Sequence, residues 1–281
     1  MEDKIIVPGE PETVTRDREL ILNSFSDLIF IEEGHKYYLN GEELPSVSGI
    51  THHFKPEFKT KEIAKKYAAK NGNTPEYWES VWKFKNLCST TSGTLCHEFG
   101  ETLFWLNLGR PDKILDSCKP KYNKEHGWLI PTRPKEEAIL KFHREQNPQD
   151  WPVLAETKVY NNFNPNAPKM KTSYCGTFDI LYYRYFPDCP ENSGYVIKDY
   201  KTNKELKSDY SRSKKKMCLP PFNDLPDESL SMYILQLSCY QIPLEDLGLK
   251  VIGREIIWLK DDATYELISL PDFTQRLREA L

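Results

Sequence analysis

The stretch from Gly176 to Thr202 constrains this chain most. It reads Gly176-Thr177-Phe178-Asp179-Ile180-Leu181-Tyr182-Tyr183, a polar loop, then Gly194-Tyr195-Val196-Ile197-Lys198-Asp199-Tyr200-Lys201-Thr202. Both arms are rich in aromatic and β-branched residues, and Pro187, Pro190, Asn192, Ser193 and Gly194 lie between them, so the pattern predicts the two strands of a long hairpin. Each arm carries a carboxylate where the apolar pattern requires burial. An unpaired buried carboxylate is costly, so Asp179 and Asp199 need a cation, a protonating neighbour or a donor network. Lys201 follows Asp199 by two residues, and the period of a strand puts both side chains on one face. Two carboxylates and an ammonium on one patch suit a divalent-metal site with a lysine beside it as base or electrostatic partner. An Asp-x-Lys on a strand is, by itself, more often a solvated ion-pair ladder. The rest of the chain has to decide.

The bulk composition neither announces nor excludes a polyanionic partner. With 281 residues the chain suffices for one large domain or two smaller ones, and a net charge of -4 means that any nucleic acid must be met by local basic surface. No apolar run approaches membrane-spanning length, and Met1-Glu2-Asp3-Lys4 lacks the layout of a secretory signal, so a cytoplasmic protein without a membrane partner is expected. Seven cysteines (Cys88, Cys96, Cys118, Cys175, Cys189, Cys218, Cys239) with no CxxC fit reduced thiols better than a disulfide framework or a zinc site.

Residues 1–25 are polar and are expected to be a mobile N-terminal segment. From Leu28 a small β-meander is predicted around Asn40-Gly41, followed by a helix capped by Ser46 that runs through Ile50 and Phe54. Two helices follow, Thr60 to Asn71 stopped by Gly72 and Pro75 to Leu87. The first carries Lys65 and Lys66 on a side that suits solvent or a phosphate backbone. Tyr67, Trp78 and Trp82 are either core aromatics, the commoner role, or platforms for stacked bases. Ser92-Gly93-Thr94 opens a third helix to about Leu108, with Leu95, Phe99, Leu103 and Leu106 as its apolar stripe and His97, Glu101 and Trp105 on another face. Residues 110–133 read as connecting loop, and Pro134 starts a helix through Ala138, Ile139 and Phe142. Val153 to Tyr160 is a strand with Glu156 inside it. After the hairpin, residues 202–216 are the most basic stretch and include Lys204, Lys214, Lys215 and Lys216, which suits either a mobile loop against a polyanion or a solvated surface. Ser229 to Leu244 is a helix with Gln236 and Tyr240 on one side; a last strand, Val251 to Leu259, and a helix from Pro271 to Leu281 complete the chain. The domain reading is a mobile segment 1–25, a β-meander and helical region 26–92, and a core 93–281.

The order helix, three strands, helix, strand, with Asp on the second strand and Asp-x-Lys on the third, resembles the PD-(D/E)xK nuclease superfamily. Gly93-Thr94-Leu95-Cys96-His97-Glu98-Phe99-Gly100-Glu101, Glu156, Gly176-Thr177-Phe178-Asp179, Asp199-Tyr200-Lys201-Thr202 and the Gln236/Tyr240 pair follow in the order of the RecB-like exonuclease group. The Leu44-Pro45-Ser46-Val47-Ser48-Gly49-Ile50 segment is similar to one in mitochondrial genome-maintenance exonucleases and their phage-encoded relatives. The resemblance implies an α/β fold with a restriction-endonuclease-like core (αβββαβ, central mixed sheet flanked by helices), an N-terminal β-meander and a helical extension. It implies one or two Mg²⁺ or Mn²⁺ ions on Asp179, Asp199 and the backbone carbonyl of Tyr200, with His97 as a nitrogen ligand. Lys201 would orient or deprotonate the attacking water, Glu156 would reach the metals through water or support Lys201, and Gln236 and Tyr240 would contact the strand. Lys65, Lys66, Lys204, Lys214, Lys215 and Lys216 are candidates for backbone contacts.

The long loop between the two aspartates departs from the family pattern. No cysteine follows Cys239, so no iron-sulfur cluster is expected, and no phosphate loop signals a motor. The expected function is a metal-dependent DNA exonuclease acting on single-stranded or duplex ends in replication, recombination or repair, with a replication or recombination protein as a further partner. A structure-specific endonuclease and a non-catalytic DNA-binding subunit are the rival readings. These motifs carry no signature of oligomeric state.

Overall fold

The computed structural model describes residues 9–110 and 132–281, together with the pairing of two short strands between them. In chain order the elements are α1 (Glu12–Ser24), β1 (Ile29–Ile31), β2 (Lys36–Leu39), β3 (Glu42–Leu44), α2 (Val47–His52), α3 (Thr60–Asn71), α4 (Pro75–Asn107), β4 (Tyr122–Asn123), β5 (Trp128–Leu129), α5 (Arg133–Arg144), β6 (Asp150–Tyr160), β7 (Cys175–Arg184), β8 (Gly194–Lys201), α6 (Asp209–Ser213), α7 (Ser229–Asp246), β9 (Val251–Leu259), β10 (Tyr265–Ser269) and α8 (Thr274–Ala280). The fold is α/β. A five-stranded mixed sheet has the order β10-β9-β8-β7-β6, antiparallel throughout except for the parallel pair β8 and β9. A parallel pair needs a crossover, and the segment holding α6 and α7 supplies it.

Alternation along β8 sorts the helices into layers. Lys198 and Tyr200 point toward α4 and α5, where the Tyr200 ring meets Phe142 and lies under Gly100. Asp199 and Lys201 point the other way, toward α7, where Lys201 reaches Gln236. Gly100 is what lets α4 come so close. A Cβ at that position would fall 2.5 Å from Cε2 of Tyr200.

The hairpin read from the sequence is present, its long connection closed by a 3-10 turn at Pro190–Asn192 and a bond from the Phe186 N–H to Ser193 Oγ (2.9 Å). The β-meander turns at Asn40 (φ 52°) and Gly41 (φ 85°), both left-handed as a two-residue turn requires. Ser46 caps α2 by accepting the Gly49 N–H at 3.1 Å.

Several expectations need correction. The segment read as mobile contains α1, whose inward face mixes Val14 and Ile21 with the buried Asp17 and Arg18. Arg18 donates to Val153 O (2.8 Å) and Pro152 O (3.1 Å) and pairs with Glu10, while Tyr195 donates to Asp17 at 2.6 Å. Paired charges on the buried face made this helix look polar. Residues 1–8 lie outside the described residues.

The two helices expected on either side of residues 88–91 are one helix of 33 residues, so the boundary drawn between residues 92 and 93 falls inside α4. Ser89, Thr90 and Thr94 bond back to carbonyls one turn earlier (3.0, 3.0 and 3.1 Å) and do not interrupt it. The buried side of α4 is Leu95, Cys96, Gly100, Phe104 and Trp105, whereas Leu106 is exposed. The stripe is displaced because the helix rests on the sheet through Gly100. Most of the loop expected at residues 110–133 lies outside the described residues, although β4 and β5 pair there. The basic stretch, for which the sequence leaves a mobile loop and a solvated surface both open, contains the short helix α6, tied down by Arg212 to Glu228 (2.6 Å). The strand β10 was not foreseen, and the last helix is shorter than expected. Among the described residues no helix is long and apolar enough to cross a membrane.

Two polar features lie under α4 and α5. Lys198 is fully buried between Asp150 (2.8 Å) and Glu255 (3.2 Å), and Arg184 bridges the same two carboxylates at 2.6 and 3.1 Å. His143 bonds to the Tyr200 hydroxyl (2.9 Å) through Nε2 and to the Asn107 amide (3.2 Å) through Nδ1. Burial, and then Lys198, push the His143 imidazole down to about 4. The folded value lies below the ordinary histidine value, so the unfolded chain takes up the proton first. Stability from this group is therefore complete above about pH 6.5 and drains away as pH falls toward 4. Urea midpoints of wild type and His143→Gln should converge as pH falls from 7 to 4, and a constant gap would refute this assignment.

Candidate active site

Three carboxylates fall in one row across the sheet. Ala155 pairs with Ile180 and Thr157 with Phe178, which sets Glu156 opposite Asp179. Ile180 pairs with Lys198, and the same register brings Asp179 to Asp199. Like charges facing across strands repel, so the local backbone departs from regularity here. Pairing of β7 with β8 ends at Ile180 and Lys198, and the Asp179 carboxylate replaces a backbone partner by accepting the Tyr200 N–H at 2.8 Å. Glu156 has φ 44°, in the left-handed region. A non-glycine residue there carries strain of about 1–3 kcal/mol, the kind that collects at functional sites.

His97 reaches this row from α4. Its Nδ1 lies 3.1 Å from Asp179 Oδ2 and 3.9 Å from Glu156 Oε1. One ligand atom each from His97, Glu156 and Asp179 lie within 4.8 Å of one another. Asp199 is engaged instead by the Lys201 ammonium. Glu156 thus stands beside His97 and Asp179, and Asp199 faces Lys201. Tyr200 spends its N–H on Asp179 and its hydroxyl on His143.

The charges of the site explain its protonation. For Asp179, burial raises the carboxyl, but His97, Lys201 and the Tyr200 N–H outweigh it and hold the group below the usual range. Burial and the neighbouring Asp179 push Glu156 well above the ordinary value and Asp199 up to about 6. Burial opposes charge on His97, yet Asp179, Glu156 and Asp199 lift it to about 9. Burial likewise opposes charge on Lys201, and Asp199 and Asp179 overcome it and hold the ammonium above its ordinary value.

No family model and no curated protein matches this chain.

The surroundings of Lys201 place the α7 pair where the sequence put it. Lys201 donates to Gln236 Oε1 (3.3 Å), and Gln236 donates to the Tyr240 hydroxyl (3.3 Å). Gly176 makes room for Tyr240, whose Cε1 would lie 2.8 Å from a Cβ there. Two further residues were missed. The Tyr233 ring lies 4.3 Å from the Lys201 ammonium, and its hydroxyl donates to Asn203 Oδ1 at 2.6 Å. Tyr233 precedes Gln236 by three, the one-turn spacing that could have marked it. The lysine candidates are not gathered at the centre. Lys204 is exposed in a recess of about 340 Å³ with Trp258 and Lys260, Lys216 covers the Tyr210 ring, and Lys214 and Lys215 are exposed beside α6. Lys65 and Lys66 are exposed on α3. The cysteines of the described residues are free, and Cys118 lies outside them.

The donor set suits a divalent cation. Two carboxylates and an imidazole converge, a third carboxylate stands next in the row, and the burial and repulsion that keep Glu156 and Asp199 above their ordinary values are opposed by positive charge. Calorimetric titration should show His97→Ala weakening Mn²⁺ binding by roughly tenfold or more and Mg²⁺ binding by less, because nitrogen ligands suit Mn²⁺ better. Equal losses for both ions, or none, would assign His97 to structure.

Proposed function

We propose that this chain is a divalent-metal-dependent DNA nuclease that hydrolyses phosphodiester bonds from DNA ends, on a restriction-endonuclease-like core of the PD-(D/E)xK type. The observation that carries the reading is the row of Glu156, Asp179 and Asp199 across three adjacent strands, flanked by His97 and by a caged, charged Lys201. The order of α4, β6, β7, β8, α7 and β9 agrees with the αβββαβ core. Replication, recombination or repair as the setting rests on the family resemblance alone.

His97, Glu156 and Asp179 would hold Mg²⁺ or Mn²⁺, with Asp199 next in the row and engaged by Lys201. The bound ion supplies positive charge against the phosphate oxygens and activation of water. The chain does the remainder. Lys201 presents an ammonium to the charge that builds on the phosphate, aimed by Asp199, Gln236 and the Tyr233 ring. Gln236 and Tyr240 offer polar atoms to the nucleic-acid strand along the same side of the sheet.

The deciding experiment compares end-labelled linear single-stranded DNA with covalently closed single-stranded circles in Mg²⁺, Mn²⁺ or EDTA. Degradation of the linear DNA alone, abolished by EDTA, is the expected result. Cutting of circles would convert the reading to an endonuclease, and tight binding without any cleavage would convert it to a binding subunit.

A further inference from the structure

The outer half of α4 and the whole of α3 form a helical hairpin unlike the rest of the molecule. Between Ala68 and Leu95 no residue is fully buried. The hairpin nevertheless holds an aromatic cluster. Tyr67 lies edge-on to Trp78 (4.6 Å) and Trp82 (5.8 Å), Phe58 touches Trp82 at 6.3 Å, and Tyr77 touches Trp78 at 5.3 Å. The outer members stay open to solvent, with Phe58 63 %, Tyr77 47 % and Tyr67 42 % exposed. Large exposed aromatics grouped in this way mark an interaction surface.

Charge selects the partner. From Lys55 to Lys85 the chain carries eight lysines and four glutamates, with no aspartate or arginine, whereas the whole protein is at -4. All eight lysines are exposed, and among the described residues only Lys59 forms an ion pair, with Glu62. Aromatic rings interleaved with lysines suit a polyanion that also offers flat apolar faces, which is the chemistry of an unpaired nucleic-acid strand. A duplex keeps its bases stacked on each other and has no free faces to offer. One unbroken helix, α4, carries both Trp82 of this surface and His97 of the candidate centre.

We propose that the α3–α4 hairpin is a stacking platform for a single DNA strand, with Phe58, Tyr67, Tyr77, Trp78 and Trp82 against the bases and Lys61, Lys65 and Lys66 against the phosphates. This rests on the nuclease reading and specifies its substrate as single-stranded.

The test is made on the full chain in EDTA, so that binding is read without cleavage. The probes are a fluorescein-labelled oligothymidylate and an abasic oligomer of equal length and charge. Oligothymidylate should quench tryptophan fluorescence and bind roughly tenfold more tightly than the abasic oligomer. Phe58→Ser with Tyr77→Ser, both solvent-exposed in the folded chain, should erase most of that difference. Lys65→Gln with Lys66→Gln should lower the salt slope by about one to two. Equal affinity for the two oligomers overturns the proposal. Self-association of the wild type in sedimentation that the Phe58/Tyr77 variant abolishes would assign the surface to a second copy and also overturn it. Base-dependent binding without any cleavage in metal would refute the nuclease reading and leave the platform standing; cleavage without base-dependent binding would do the reverse.

Discussion

On the proposed nuclease reading, Asp179→Asn should lower cleavage by roughly a thousandfold or more while the chain stays folded and continues to bind DNA, since it removes a proposed metal ligand and with it several kcal/mol of charge stabilisation. Asp179 occupies the middle of the carboxylate row and touches His97 and the Tyr200 N–H. An asparagine oxygen can still accept that N–H, so β8 keeps its place. The substitution also removes one of three facing negative charges, which lessens the repulsion on Glu156 and Asp199. The expected signature is therefore a loss of turnover with only a small fall in melting temperature, since His97 and Lys201 lose a charged partner, and with DNA affinity equal to or above that of the wild type. Cleavage within tenfold of wild type would remove Asp179 from the centre. A collapse of the melting temperature would make the carboxylate a structural element first.

The largest effect on stability should come from Lys198→Met. The ammonium is fully buried between Asp150 and Glu255, and its removal leaves two carboxylates that, among the described residues, only Arg184 then serves as a cation. Breaking a buried pair from one side costs about 3–5 kcal/mol, far more than the pair contributes relative to apolar residues of the same shape. Burial raises the Asp150 carboxyl, but Arg184 and Lys198 outweigh it and keep its folded value below the ordinary one. Its contribution is thus present above the ordinary carboxylate range and lost as pH falls through the depressed folded value. Urea titrations at pH 7 and pH 4 should find the variant's deficit large at the first and smaller at the second, as protonation removes the unpaired charge. A deficit under about 1 kcal/mol at pH 7 would mean that Arg184 alone satisfies both carboxylates.

The parts of the site that were legible in the sequence lie where one short-range rule was sufficient. Period two put Asp199 and Lys201 on one face, and helical spacing put Gln236 beside Tyr240. Glu156 was recognised, but its direct approach to Asp179 depends on a left-handed φ and on cross-strand register, which no local pattern encodes. The same limit explains α1 and α4. Asp17 and Arg18 look like surface residues until their partners Tyr195 and Val153, far along the chain, are folded against them. Ser89 to Gly93 looks like a helix break because serine, threonine and glycine disfavour helix interiors, yet the helix is held on both sides by packing and by hydroxyl back-bonds. Tyr233 went unnoticed because a tyrosine on an apolar helix is unremarkable before Lys201 is set beneath its ring.

The unbroken course of α4 makes the protein its own yardstick. Trp82 and His97 are separated by about 22 Å of rigid helix, at 1.5 Å per residue. If the proposed platform holds a strand that the proposed centre cuts, the strand must span that length, so fragments shorter than a few nucleotides can occupy only one mark at a time. Digestion should therefore stall at a limit product whose size reports the interval, and inserting one helical turn between Trp82 and Gly93 should lengthen it by about 5 Å of strand.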